Sequence, residues 1–282
     1  MMRLLAGRDI RWLLILLGGL GLAGFWNAAF LNRPALVLIL TGFLNTFAVT
    51  GMVLLFCLGA GWGAALALHF LEERMRSGYL LSTFLLNLIR SVPQIVGILF
   101  GYVWIAQAMK QGTLRSPSAI FLLMAAVTAL FIFNEMSDLM RERIAHFKKG
   151  DFYSAMRVCG FSKARIVNFH ILWKNSRMHV FNKLISIFGM AVFLQCSVSF
   201  IISVGLSTEV DLITLPSTLG SVLANMDSKQ DILAVGYTLT HPAYIMQMFF
   251  KHLQGLTTAF VLVFSLLCIH RISTGFAERH RL

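Results

Sequence analysis

From Trp12 to Phe30 the chain reads WLLILLGGLGLAGFWNAAF, a stretch without a single charge, preceded by Arg3, Arg8 and Arg11. A helix needs roughly 20 apolar residues to cross a bilayer, so this stretch decides the class of molecule. A secretory signal peptide also starts basic and turns apolar. This run is longer than a usual signal core and no small-x-small cleavage site follows, which predicts an uncleaved first span. Composition agrees. Of 282 residues 57% are hydrophobic and 13% charged, and the mean hydropathy is +0.76. A soluble domain carries about 25% charged residues. An ordinary cytosolic enzyme, a disordered tail and a disulfide-rich secreted module are excluded. Cys57, Cys159, Cys196 and Cys268 are far apart, and three lie in apolar stretches, where a cysteine acts as a small buried hydrophobe.

Further spans follow the same rule. The second is expected from about Asn45 to His69, entered through a shorter apolar approach, Ala35 to Leu44. Gly59 and Gly63 give it a small-xxx-small spacing that permits close helix packing. After the charged run Glu72–Arg76 and a mixed segment to Arg90, a third span begins near Val92-Pro93-Gln94 and ends near Met109. The fourth is Ser118 to Phe133, the fifth Val180 to Val204 and the last Tyr244 to Ile269. Between the fourth and fifth lies a basic loop, about 135–177, too charged to cross. A polar loop, about 205–240, precedes the last span. The chain is therefore expected to be all-α and polytopic, with about six transmembrane helices.

Charge sets the orientation. Nineteen Lys and Arg fall on the side that holds both termini, Arg74, Arg76 and Arg90, and the basic residues from Arg141 to Lys183, and five fall on the other side. Basic residues accumulate on cytoplasmic loops. The expectation is that both termini, including residues 1–11, are cytoplasmic. The 205–240 loop, with Glu209, Asp211, Asp227 and Asp231 against Lys229, then lies outside. The net charge of +12 reflects this distribution and not a nucleic-acid surface. No nucleic-acid partner is expected, and the bilayer is the partner that composition demands.

One cytoplasmic segment carries more information. It reads Asp151-Phe-Tyr-Ser-Ala-Met-Arg-Val-Cys-Gly160, then Phe-Ser-Lys-Ala-Arg-Ile-Val-Asn-Phe-His170-Ile-Leu172. Ala155, Met156 and Arg157 favour a helix, Asp151 suits its N-terminus and Gly160 its end. Ser162 is placed to cap a second helix. Phe152, Met156 and Cys159 share one face at i, i+4, i+7. Such a stripe needs cover, either the underside of this chain's own bundle or a separate partner.

That segment resembles the coupling-helix signature of bacterial ABC importer permeases, E-A-A-three residues-G-nine residues-I-x-L-P. The alignment fixes on Ala155, Gly160 and Leu172. Arg157, Gly160, Ser162, Arg165, Ile166 and His170-Ile171-Leu172 are similar to the dipeptide, oligopeptide and nickel branch, in the manner of its second permease subunit. Ser197-Val-Ser-Phe-Ile, Val204-Gly-Leu and Pro216-Ser-Thr-Leu-Gly-Ser-Val-Leu-Ala224 resemble that branch's downstream region. Ile89-Arg90-Ser91-Val92-Pro93 is equally similar to phosphonate-type permeases. The sequence departs at Ser154, Met156 and Trp173, where the signature has glutamate, alanine and proline.

The resemblance implies a type I permease bundle over 12–282 with a cytoplasmic coupling helix, in the inner membrane of a bacterium. It implies three kinds of protein partner: ABC ATPase subunits, a second, related permease subunit and an extracytoplasmic solute-binding protein. Asp151, Phe152, Tyr153, Ser154, Ala155, Met156, Arg157, Cys159 and Gly160 are then the ATPase-docking residues. Asp151 stands in for the missing glutamate. The chain has no GxxxxGK[ST] motif, so ATP and Mg belong to the partner subunits and no cofactor or catalytic residue is assigned to this one. A small solute of the peptide or nickel-chelate type is the implied cargo, with a phosphonate-type permease as the alternative within the class.

Polar residues inside spans are costly unless they face helices or water. Gln94, Gln195, Ser197 and Ser199 are candidate pathway-lining residues on that ground, although serine also back-bonds within its own helix. Glu135 and Asp138 are expected at the membrane boundary, paired with Arg141 or Arg143. No HExxH or close His/Cys cluster occurs, so no metal site is expected. A secondary transporter would need an acidic residue at mid-span, and none is present; a membrane scaffold without coupling is the remaining alternative.

Overall fold

The computed structural model describes residues 8–31, 33–205, 215–224, 233, 236–251 and 253–279. These are helical throughout, joined by short turns, and no strand occurs among them. Most of the expected outer loop, with Glu209, Asp211, Asp227 and Lys229, lies outside the described residues, as does Asp231.

The helices are α1 (Arg8–Phe30), α2 (Arg33–Arg74), α3 (Arg76–Ser91), α4 (Gln94–Lys110) and α5 (Pro117–Lys149). They continue as α6 (Asp151–Val158), α7 (Lys163–Arg165), a π-helical stretch (Ile166–Asn175), α8 (Arg177–Gly205) and α9 (Leu219–Ala224). A 3-10 turn (Pro242–Tyr244), α10 (Ile245–Lys251) and α11 (Leu253–Arg279) complete the description. Five helices are long and apolar enough to cross a membrane: α1, α2, α5, α8 and α11. The pair α3–α4, bent by 87° at the Val92-Pro93 break, meets the same test only when its two helices are taken together. Length and apolar character together make this a multi-pass membrane protein.

Two helix pairs organise the bundle. Helices α2 and α5 run side by side in the same direction: Cys57 reaches the Ala129 carbonyl, Gly61 lies against Met136, and Glu73 pairs with Lys148. The core gathers around them, with Val49, Val53, Ile98, Tyr102, Met124, Ile132, Met140, Ile187 and Val198 among its buried members. Helix α1 packs antiparallel on α11 instead. Asp9 pairs with Arg279, Thr257 donates to Asn27, and an added Cβ on Gly19 would run into Phe264.

Several expectations need correcting. The approach 35–44 and the second span are one unbroken helix of 42 residues. At 1.5 Å per residue α2 is about 60 Å long, roughly twice the hydrocarbon core. Gly59 and Gly63 face open space, and Gly61 between them makes the close contact, where an added Cβ would stand 2.7 Å from that of Met136. The 135–177 stretch does not begin as a loop. Helix α5 runs on to Lys149, carrying its charges on a helical extension of the fourth span. Glu135 pairs with Lys183 at 2.6 Å and Asp138 with Arg90, neither with Arg141 or Arg143.

Candidate functional site

The 150–176 segment hangs from the basic end of the bundle. Gly150 turns the chain out of α5, and α6 runs for eight residues with Asp151 in its first turn. Gly160 then closes it, as the sequence predicts, at φ +83, where its amide donates to the Arg157 carbonyl. Glycine populates that left-handed region freely, and a residue with a Cβ pays about 1–2 kcal/mol to enter it. Ser162 caps the next turn by accepting the Arg165 amide at 3.3 Å. Glu73, at the end of α2, accepts from Lys148 at 2.9 Å and from Lys163 at 2.8 Å, so one carboxylate pins both flanks of α6.

The faces of α6 divide cleanly. Phe152, Tyr153 and Met156 are half-buried against the core, with Phe161 beyond the turn doing the same. Phe152 stacks edge-on against Phe147 of α5. The bundle's own underside is therefore the cover for the Phe152–Met156 stripe, and Cys159, the third member, is exposed. Asp151, Ser154, Ala155, Arg157 and Gly160 are also exposed, and Val158 is 88% exposed. Arg157 folds back to the Phe161 carbonyl at 3.4 Å. The outward face is thus a small apolar patch of Ala155 and Val158 edged by Asp151, Ser154 and Cys159.

The second helix of the unit is π-helical after its first turn. Ile166, Val167, Ile171 and Leu172 are buried, two doublets five residues apart, which suits a helix bonded i to i+5. Asn168 accepts from the Trp62 indole at 2.6 Å, and the Trp62 and Trp173 rings lie 6.3 Å apart. Trp173 is thereby held against α2. The doublet spacing is visible in the sequence and was the available signal for the π-helix.

Inside the bundle the polar candidates separate. Gln195 and Ser199 share a face of α8 one turn apart and are buried. Gln195 Oε1 lies 3.3 Å from the Thr50 hydroxyl, whose one proton goes to the Thr46 carbonyl at 2.8 Å, and Gln195 Nε2 and Ser199 Oγ have no partner. Ser197 is half-buried on another face. Gln94 sits apart, at the start of α4, donating to the Phe131 carbonyl at 3.3 Å. Sequence reading missed the residues that surround Gln195. Thr50 donates to the Thr46 carbonyl, and Thr46 Oγ1 accepts the Leu219 amide at 3.0 Å. Asn45 reaches the Ser217 carbonyl at 2.9 Å, and Tyr102 pairs with Thr128 at 3.0 Å.

Helix α9 is seated within this polar column. It starts at Leu219, three residues after Pro216, and Leu219, Gly220, Ser221 and Val222 are all buried. Thr218 and Ser221 cap one another reciprocally, each backbone amide donating to the other's hydroxyl. This short helix is an inserted element packed on α2, α8 and α11. Among the described residues no group of three or more His, Cys, Asp or Glu could hold a metal.

No family model matches the chain, and no curated protein does either. Among solved structures it is similar to a crystal structure of an amino acid ABC transporter with histidines. That likeness has 17% identity and a TM-score of 0.44, over 80% of this chain and 92% of the other.

Replacing Gly160 with valine tests the turn. A β-branched residue at φ +83 costs about 1–3 kcal/mol locally, while nothing stands within 4 Å of its Cβ, so no packing clash spreads the damage. Proteolysis at residues 150–162 is expected to rise severalfold with the melting temperature of the bundle unchanged. Equal cleavage of both proteins would remove the turn's structural role.

Proposed function

We propose that the chain is the membrane permease subunit of an ATP-driven ABC importer, acting in a bacterial inner membrane with both termini in the cytoplasm. The observation that carries this reading is α6. It is a short helix held between two glycine turns and tied to the end of α2 through Glu73, with Ala155 and Val158 presented outward at the position of the coupling signature. Docked in a cleft on an ATPase subunit, such a lever carries the subunit's closure into α5 on one side and α8 on the other. The bundle then alternates between inward-open and outward-open states, each ligand favouring the state it binds better. ATP and Mg act on the ATPase subunits, and this chain performs no covalent chemistry.

Asp151, Ser154, Ala155, Arg157 and Cys159 supply the docking face on this reading, and Gly160 sets its angle. Phe152, Tyr153 and Met156 act from beneath, transmitting the movement to the core they pack on. A second, related permease subunit completes the pathway and a solute-binding protein delivers a small solute of the peptide or nickel-chelate class. Gln195 and Ser199 face that pathway in one of the two states, which gives the lone Gln195 amide its partner.

The test is purification of the tagged chain from native membranes in mild detergent, with its stoichiometric companions identified by mass spectrometry. A Walker-containing ATPase and a second six-span chain are expected. A lone chain, with no ATPase even after cross-linking, overturns the reading. Gln195→Leu checks the pathway. The substitution removes an unpartnered buried amide and leaves Thr50 its bond to Thr46, so assembly and melting are expected to hold while solute uptake changes severalfold. Unchanged uptake would make Gln195 a packing residue.

A further inference from the structure

Where α2, α3 and α5 meet at the basic end, a cavity of about 430 Å³ is lined by His69, Glu72, Tyr79, Asp138, Arg141, Glu142 and Lys148, with Leu68, Ile144 and Ala145 as its apolar wall. Two of its charges are already used: Asp138 pairs with Arg90 and Lys148 with Glu73. Three are not. Among the described residues Arg141, Glu72 and Glu142 form no ion pair, and Arg141 has only a long hydrogen bond of 3.4 Å to the Tyr79 hydroxyl. His69 adds an independent sign of an absent ligand. Its side chain is 5% exposed, its Nε2 has no hydrogen-bond partner, and the nearest carboxylate oxygen, Glu73 Oε1, is 3.9 Å away.

A guanidinium and two carboxylates that line one cavity without reaching each other are complementary to a ligand of reversed polarity. Arg141, with Tyr79 and His69 as further hydrogen-bonding groups, suits an anionic oxygen group. Glu72 and Glu142 suit a primary ammonium, which has three protons to give. The position of the cavity narrows the source. Helix α3 stands at 87° to α4, and its outer face presents Leu80, Leu81, Phe84, Leu85 and Leu88, all at least half exposed, with Arg76 and Asn87 along one edge. That is the pattern of a helix lying in the plane of a bilayer boundary, where phospholipid headgroups are concentrated.

We infer that the cavity between α2, α3 and α5 is a binding site for a zwitterion that joins a phosphate to a primary amine, the ethanolamine phosphate group. Arg141 takes the phosphate and Glu72 and Glu142 take the ammonium. The group arrives on a phospholipid or as a free solute. The inference does not rest on the transporter reading, because its test needs no ATPase and no transport.

The test uses the full chain, reconstituted in nanodiscs with equal phosphatidylethanolamine and phosphatidylcholine, then released for native mass spectrometry. Choline has no ammonium proton to donate, so retained lipid is expected to favour phosphatidylethanolamine at least tenfold. Arg141→Gln should lower retention of both lipids alike, since they share the phosphate, and the preference should fall to parity in Glu142→Gln. Glu142 is exposed, so the second variant folds even if the first does not. In parallel, calorimetric titration with O-phosphoethanolamine and with ethyl phosphate separates the sources. Lipid preference lost in Glu142→Gln, with both lipids weakened in Arg141→Gln, supports the lipid source. No lipid preference, with O-phosphoethanolamine bound at least tenfold more tightly than ethyl phosphate and weakened in Glu142→Gln, supports the solute source. Neither effect, or a lipid preference that survives Glu142→Gln, overturns the site.

Discussion

Gly220→Val is expected to lower the melting temperature of the detergent-solubilised chain by about 10 °C, corresponding to about 3 kcal/mol. Helix α9 lies so close to α8 that an added Cβ on Gly220 would overlap the Cys196 carbonyl, and it would stand 2.7 Å from the carbonyl carbon and the Cα of Cys196. Those are backbone atoms of a long span, with no rotamer to change. Relief therefore requires moving α9, and α9 is held by the Leu219 amide on Thr46, by Asn45 on Ser217 and by its own reciprocal cap. Shifting it leaves buried polar groups unpaired at about 1–3 kcal/mol each. Gly59→Ala is the matched control, since nothing lies within 4 Å of that position, and it should melt as the parent does. Equal melting of Gly220→Val and the parent would mean that α9 does not sit where the structure places it.

The contrast between those two glycines explains what the sequence made legible. Span existence was readable because crossing a bilayer demands a long apolar run wherever the chain folds. Span ends were not. Helix α8 begins at Arg177, not Val180, and α11 continues to Arg279, because backbone hydrogen bonding carries a helix past its last apolar residue. In α2 nothing between Pro34 and Arg74 breaks the helix, so the approach fused with the span. The stretch 135–149 was read as a loop because its charges forbid crossing, yet charge says nothing against a helix that projects beyond the membrane. Gly61 and Gly220 owe their importance to Met136 and Cys196, partners that local patterning could not supply. The burial of Gln195 was equally hidden, since it depends on Thr50, 145 positions away.

The site divides the same way. Gly160 and Ser162 were legible because a positive φ and an N-cap are local demands with narrow residue choices. The i, i+4 pair Phe152 and Met156 gave α6 an apolar face, but Cys159 at i+7 is exposed, and only the packed bundle shows that the face turns inward. The residue this leaves outermost, Val158, drew no attention in the sequence because it lies off that stripe.

Val158→Glu is accordingly the sharpest test of docking, and ATPase-subunit capture is expected to fall at least tenfold, about 1.4 kcal/mol. The side chain is 88% exposed, so a charge there stays hydrated in the isolated chain and its melting temperature should not move. In a cleft that covers Ala155 and Val158 the same carboxylate would be desolvated without a partner, which is costly at the centre of an interface. Phe152→Ala should behave in the opposite way. It removes a half-buried ring that packs on Phe147, so it lowers the chain's own stability by about 1–3 kcal/mol before any partner is present. Loss of capture in Val158→Glu at unchanged melting assigns the outer face to the partner. Retained capture, with loss appearing only in Phe152→Ala, would leave α6 a structural cap on the bundle and remove the coupling role.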